Sequence, residues 1–175
     1  TRQNRRKITC VHKANALRKS DGLFRKVFLK EMGVSNITSS EMLVDAAAAA
    51  LVLRPSELDC IVTLNLYGDI LSDEAAALVG GLGFGPSGNI GDEYAIFEPS
   101  HGSAPDIAGR GIANPIATML SAGMMLDYLG MGAESRRIES VIRLALDRDI
   151  RTVDAGGRCG TGEFTDALIG LLDEV

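Results

Sequence analysis

The feature that most narrows what this chain can fold into is the short apolar run at residues 60–64, with helix-like sequence on both sides. A strand apolar at nearly every position has no polar face to offer water, so this run suits a strand covered on both faces, the pattern of a parallel sheet. Residues 8–11 read as a second short buried strand, ending at His12 and Lys13. Leu23, Phe24, Val27, Phe28 and Leu29 fall at helical spacing and predict a helix over 21–32, with Gly33 placed to stop it. The Ala-rich segment 42–53 predicts a well-buried helix that ends before Arg54 and Pro55. Residues 69–79 are helical again, 80–91 a Gly/Pro/Ser-rich connection, 94–97 a short strand and 98–111 a loop. Three more helices are expected at 115–128, 134–147 and 163–172. Strands alternating with helices give the α/β class.

Charge excludes some functions. Eighteen Lys and Arg against 23 Asp and Glu leave a net charge of −5, which argues against a general nucleic-acid binder. The basic run Arg2, Arg5, Arg6 and Lys7 is short and leads straight into apolar residues, so it reads as the solvated end of an element. Cys10, Cys60 and Cys159 form neither a CxxC pair nor a disulfide framework, and a reducing, cytoplasmic setting is expected. The longest apolar run, 46–53, falls far short of the ~20 residues of a membrane span, and no signal-peptide pattern is present. The chain opens on polar residues without an initiator Met, and the expectation is that the first half of the natural polypeptide is absent.

Four groups of residues carry candidate chemistry. If the segment Gly68–Glu74 opens a helix, Asp69 and Asp73 share one face. Like charges there repel, and two readings compensate: the positive end of the helix dipole, or a divalent cation with oxygen ligands such as Mg²⁺ or Mn²⁺. Spacing alone favours the dipole. Lys13, at the end of a buried strand, is either a lysine that snorkels to water or a general acid/base. Asp45, just before five alanines, reads by itself as a helix-start acid. Gly83-x-Gly85-x-x-Gly88 matches a dinucleotide fingerprint only formally, because it follows a helix and leads into more loop. The loop at 98–109 has small residues, His101, and Asp106 ahead of a helical segment. It could wrap an adenine nucleotide, with the Asp suited to a free ribose 2′-hydroxyl, or be an ordinary connection with a capping Asp.

Taken together the segments V-H-K-A-N-A-L, S-D-G-L-F, V-D-A, N-L-Y-G-D-I-L-S-D, G-N-I-G and F-E-P-S-H-G-S-A-P-D-I-A-G-R-G-I-A-N-P, with the tail G-G-R-C-G-T-G-E-F-T, resemble the isopropylmalate/isocitrate dehydrogenase family from about Lys7 onward. The resemblance implies that family's α/β fold, incomplete, with residues 1–85 in the dimerisation and metal-binding domain and 86–175 in the cofactor-binding domain. It implies Asp69 and Asp73 as metal ligands from one subunit, and Asp45 and the acid/base Lys13 from its partner. It gives His101, Gly102, Ser103, Ala104, Asp106, Ile107 and Asn114 to the adenosine half of the cofactor, which Asp106-Ile107 makes NAD. Ser100 and Arg110 depart from the family's usual Val and Lys.

The implied activity is oxidative decarboxylation of a 3-substituted malate, first 3-isopropylmalate in leucine biosynthesis, with isocitrate and homoisocitrate open. The implied partners are a small 2-hydroxy acid and a second copy of the chain, with no nucleic acid or membrane. The resemblance puts the substrate-binding arginines and a catalytic tyrosine upstream, so these residues alone are expected to be inactive. A regulatory subunit or a bare dimerisation fragment is the contrasting reading. Retention of Lys13, Asp45, Asp69 and Asp73 argues against a regulatory subunit.

Overall fold

The buried strand expected near the start is β1 (Lys7–His12), the middle strand of a parallel three-stranded sheet ordered β2–β1–β3. β2 is Thr38–Leu43 and β3 is Cys60–Thr63, with Lys7 opposite Thr38 and Ile8 opposite Cys60. The computed structural model describes residues 5–175, which divide into two compact units, one ending at Leu78 and one spanning Val79–Val175. Arg2 of the basic run lies outside the described residues. Asp59 gathers the rest of that run: it accepts the Arg6 and Lys7 backbone N–H groups and pairs with the Arg5 guanidinium, which holds its carboxyl down to about 2.

Parallel neighbours need crossovers, and helices supply them. In the first unit α1 (Ser20–Met32) joins β1 to β2, α2 (Val44–Leu53) joins β2 to β3, and α3 (Asn65–Leu78) follows β3. Val11, Ala47 and Leu71 form the core, with Met42, Val44, Ala48, Leu51 and Ile61 around them. The chain passes from one side of β1 to the other between β2 and β3, so the carboxyl end of β1 lies where the strand succession reverses.

Several expectations change here. β1, not the more apolar β3, is the well-covered strand: Cys10 and Val11 are 0% exposed and Val62 is 37% exposed. β2 is polar (T-S-S-E-M-L) and carries no periodic signal; pairing with β1 makes it a strand and pushes the start of α2 from Met42 to Val44. α2 is not well buried, since Ala47 and Ala50 are covered while Ala46, Ala49, Val52 and Leu53 face outward. α3 begins at Asn65, four residues before the expected start at 69. Gly33 ends α1 with φ −62°, so no left-handed cap is involved.

In the second unit, the stretch expected to be a connection contains a strand. β4 (Pro86–Ile90) pairs antiparallel with β5 (Ala95–Pro99) as a hairpin. A Cβ on Gly85 would lie 2.4 Å from Ser100 Oγ, so glycine there permits a close approach to the following loop. The Gly83–Gly88 pattern thus serves hairpin packing and opens no helix. α4 (Ile116–Tyr128), α5 (Gly132–Asp147) and α6 (Thr161–Leu171) enclose a core of Ile116, Val141, Ile142, Ala145, Phe164, Leu168 and Leu171. Among the described residues no helix is long and apolar enough to cross a membrane.

Candidate active site

The three strands of the first sheet run parallel, so their carboxyl ends lie along one edge, where open α/β sheets bind ligands. Lys13 follows β1 directly, and Asp45 is the second residue of α2, just past β2. The structure brings these two together: Lys13 Nζ pairs with Asp45 Oδ1. That bond and the residue's own backbone N–H hold the Asp45 carboxyl below its usual range.

Asp69 and Asp73 share α3 beyond β3 and are both exposed. With the helix starting at Asn65, its first turn holds no acid. The dipole's favour fades within one turn, so the reading that spacing alone preferred loses its basis for this pair. Neither carboxylate is ion-paired among the described residues, which leaves two hard oxygen donors on one helical face. No group of three or more acidic, His or Cys side chains gathers among the described residues. Two carboxylates at this spacing could supply two of the oxygen ligands of a divalent cation.

Two residues behind this edge had no place among the expected site residues. Asp21, in the first turn of α1, is 1% exposed and accepts hydrogen bonds from Lys13 N (2.8 Å), the Tyr67 hydroxyl (2.9 Å) and Ser20 Oγ (3.0 Å). Burial pushes its carboxyl up, but the three donors outweigh burial and hold it below the usual range. His12 is also buried; Ala14 N–H donates to its Nδ1, which puts the ring proton on Nε2, 3.4 Å from Glu41 Oε1. Glu41 is held in turn by Arg25.

In the second unit, the residues expected to hold a nucleotide form one continuous loop after β5. His101 is half-buried, its Nδ1–H donating to Gly102 O at 3.0 Å. Gly102, Ser103 and Asp106 are exposed and Ile107 is half-buried. Ala104 sits at φ 43°, a left-handed conformation that strains a residue with a Cβ, just before the short turn Pro105–Ile107. Asn114 is buried and engaged at both ends: Oδ1 accepts Ile116 N–H at the start of α4, and Nδ2 donates to Asp154 Oδ2. One hydrogen and one lone pair of its carboxamide remain for a ligand. The tail braces the loop, with Thr161 N–H donating to Gly111 O and Thr161 Oγ1 to Ala113 O. Asp154, which orients Asn114, is a further residue that no motif singled out.

The profile of one family, isocitrate/isopropylmalate dehydrogenase, matches residues 1–168. The chain belongs to that family. It is 48% identical over 171 residues to homoisocitrate dehydrogenase of Methanocaldococcus jannaschii, covering 98% of this chain and 49% of the relative. It is 59% identical over 172 residues to 3-isopropylmalate dehydrogenase of Saccharolobus solfataricus, covering 94% of this chain and 51% of that one. The crystal structure of isocitrate dehydrogenase from Methylococcus capsulatus superimposes with a TM-score of 0.92 at 42% identity, over 98% of this chain and 52% of that one. The chain thus spans about half the length of the curated relatives it matches. The α/β class expected from the sequence holds, and these isocitrate/isopropylmalate dehydrogenase relatives carry three different substrate names.

Proposed function

We propose that this chain contributes the metal, acid/base and cofactor residues of a cytoplasmic, NAD-dependent β-decarboxylating dehydrogenase acting on a 3-substituted malate, first of all 3-isopropylmalate. The observation that carries the reading is the sheet edge, where Lys13 meets Asp45 while Asp69 and Asp73 stand exposed, without an ion pair among the described residues and beyond the reach of the helix dipole. Residues 1–85 serve dimerisation and metal binding, and 86–175 the cofactor. Asp69 and Asp73 hold Mg²⁺ or Mn²⁺ from one subunit, and Asp45 completes the site from the other. The outward apolar side chains of α2 (Ala46, Ala49, Val52, Leu53) and α3 (Leu66, Ile70, Ala77) support a homodimer with shared sites.

When bound, the metal supplies Lewis-acid charge and NAD⁺ supplies the hydride acceptor. Lys13, as the neutral amine, takes the proton of the substrate hydroxyl at Nζ directly or through water, and Asp45 keeps that amine aimed along the sheet edge. Asp106 accepts from a free ribose 2′-hydroxyl and repels a 2′-phosphate, which selects NAD. His101, Gly102, Ser103, Ala104, Ile107 and Asn114 enclose the adenosine.

In the full-length enzyme, Lys13→Ala and Asp69→Asn are each expected to lower turnover by about 10²–10⁴-fold. Near-normal turnover of either variant contradicts the assignment. Assayed side by side, 3-isopropylmalate should give a higher kcat/KM than isocitrate or homoisocitrate. The reverse order keeps the reaction and changes the substrate.

A further inference from the structure

Asp21 is the only buried acid among the described residues. A buried carboxylate is costly unless donors satisfy it, and here all three donors are protein groups. Oδ2 receives two of them, from two different elements. One is the backbone N–H of Lys13, at the end of β1. The other is the hydroxyl of Tyr67, in the first turn of α3 and two residues before Asp69. Lys13 is thereby held at both ends, its main chain by Asp21 and its amine by Asp45. Its carbonyl also accepts the N–H groups of Ala16 and Leu17.

We infer that Asp21 is a positioning residue whose single Oδ2 sets the main chain of Lys13 and the first turn of α3 together, so that acid/base and metal functions share one anchor. This rests on the proposed roles of Lys13 and Asp69. Under those roles the two serve different sites of the dimer, and Asp21 ties the group a chain lends its partner to the helix that builds its own site. An ordinary buried polar anchor would affect stability alone. A positioning residue also affects metal affinity and turnover, and an isosteric acceptor should restore both.

The test uses the full-length dimer with Mn²⁺ as the probe, the free ion being counted by electron paramagnetic resonance, alongside kcat and thermal melting. Asp21→Ala should weaken Mn²⁺ binding and lower kcat by about 10–100-fold each, and Tyr67→Phe should weaken Mn²⁺ binding by roughly 5-fold or more. Asp21→Asn keeps an oxygen for both donors and should stay within about 3-fold of wild type in both. Folded Asp21→Ala and Tyr67→Phe proteins with unchanged Mn²⁺ affinity overturn the inference, even if both melt earlier. Where Asp21→Ala does not fold, Tyr67→Phe, which removes one hydroxyl, decides by the same criterion. Asp69→Asn is the control. If it binds Mn²⁺ normally, the underlying metal assignment falls and this inference falls with it; if it loses Mn²⁺ while Tyr67→Phe does not, this inference alone falls.

Discussion

The carboxyl edge of the first sheet and the loop after β5 present polar groups in opposite ways. At the sheet edge, Lys13 directly follows β1, Asp45 lies in the first turn of α2 after β2, and Asp69 and Asp73 lie on α3 after β3, far apart in sequence. Their positions are set by strand order and by a buried carboxylate behind them. In the loop, the candidates are nearly contiguous, on irregular backbone with one strained residue, braced from outside by the tail. Asp69 and Asp73 are unpaired among the described residues, whereas the carboxamide of Asn114 is already engaged at both ends. Topology can gather residues that no local pattern links, while a loop needs a local pattern because nothing else shapes it.

If the loop depends on its brace, damage to the helices behind it should reach the cofactor. Phe164, 0% exposed in the α4–α6 core, sits in the helix that begins at Thr161. Phe164→Ala should cost about 3–5 kcal/mol in urea unfolding and weaken NAD binding by calorimetry. Loss of stability with full NAD affinity would separate the loop from its scaffold. Asn114→Ala removes the acceptor of the Ile116 N–H and the bond to Asp154, and should cost about 1–2 kcal/mol while weakening NAD but leaving Mn²⁺ affinity unchanged. A change in Mn²⁺ affinity would break the division of labour between the two regions.

Ala104→Gly should do the opposite and raise stability by about 0.5–1 kcal/mol, since glycine adopts φ 43° without strain. A destabilised variant would show that the Ala104 methyl makes contacts worth more than its strain.

The smallest effect is expected at Asp59, at the amino end of the sheet. Its carboxyl is held at about 2 in the fold against a usual 3.8. A depressed value stabilises the fold above the unfolded-state value, and that stabilisation is lost as pH falls from about 3.8 to about 2. Asp59→Asn should therefore unfold earlier than wild type at pH 6, with the gap closing by about pH 2. A gap that persists at the lower pH contradicts this.

The same contrast explains what could be read in advance. The helices α1 and α4–α6 were legible to within a few residues from their apolar content and the breaks that flank them, and so was β1. β2 was not, because T-S-S-E-M-L has no alternation and becomes a strand only by pairing with β1. The start of α3 carries no sequence signal because Asn65–Gly68 lacks an apolar stripe, and a helix begun at Asp69 would put that acid within the dipole's reach, which the true start at Asn65 does not. The loop was legible from its Gly, Pro and His content. The site role of Asp21 was not, since S-D-G reads as a helix start until Lys13 and Tyr67 are seen converging on it.

The central claim is that Lys13 of one chain works with Asp69 and Asp73 of another. Mixed full-length dimers of Lys13→Ala and Asp69→Asn test it most directly, because each parent dimer should be inactive while the hybrid keeps one intact site. Co-expressed at equal levels, random pairing should restore about one quarter of wild-type turnover. A mixture as inactive as its two parents would place both residues in the same site of one chain and contradict the account.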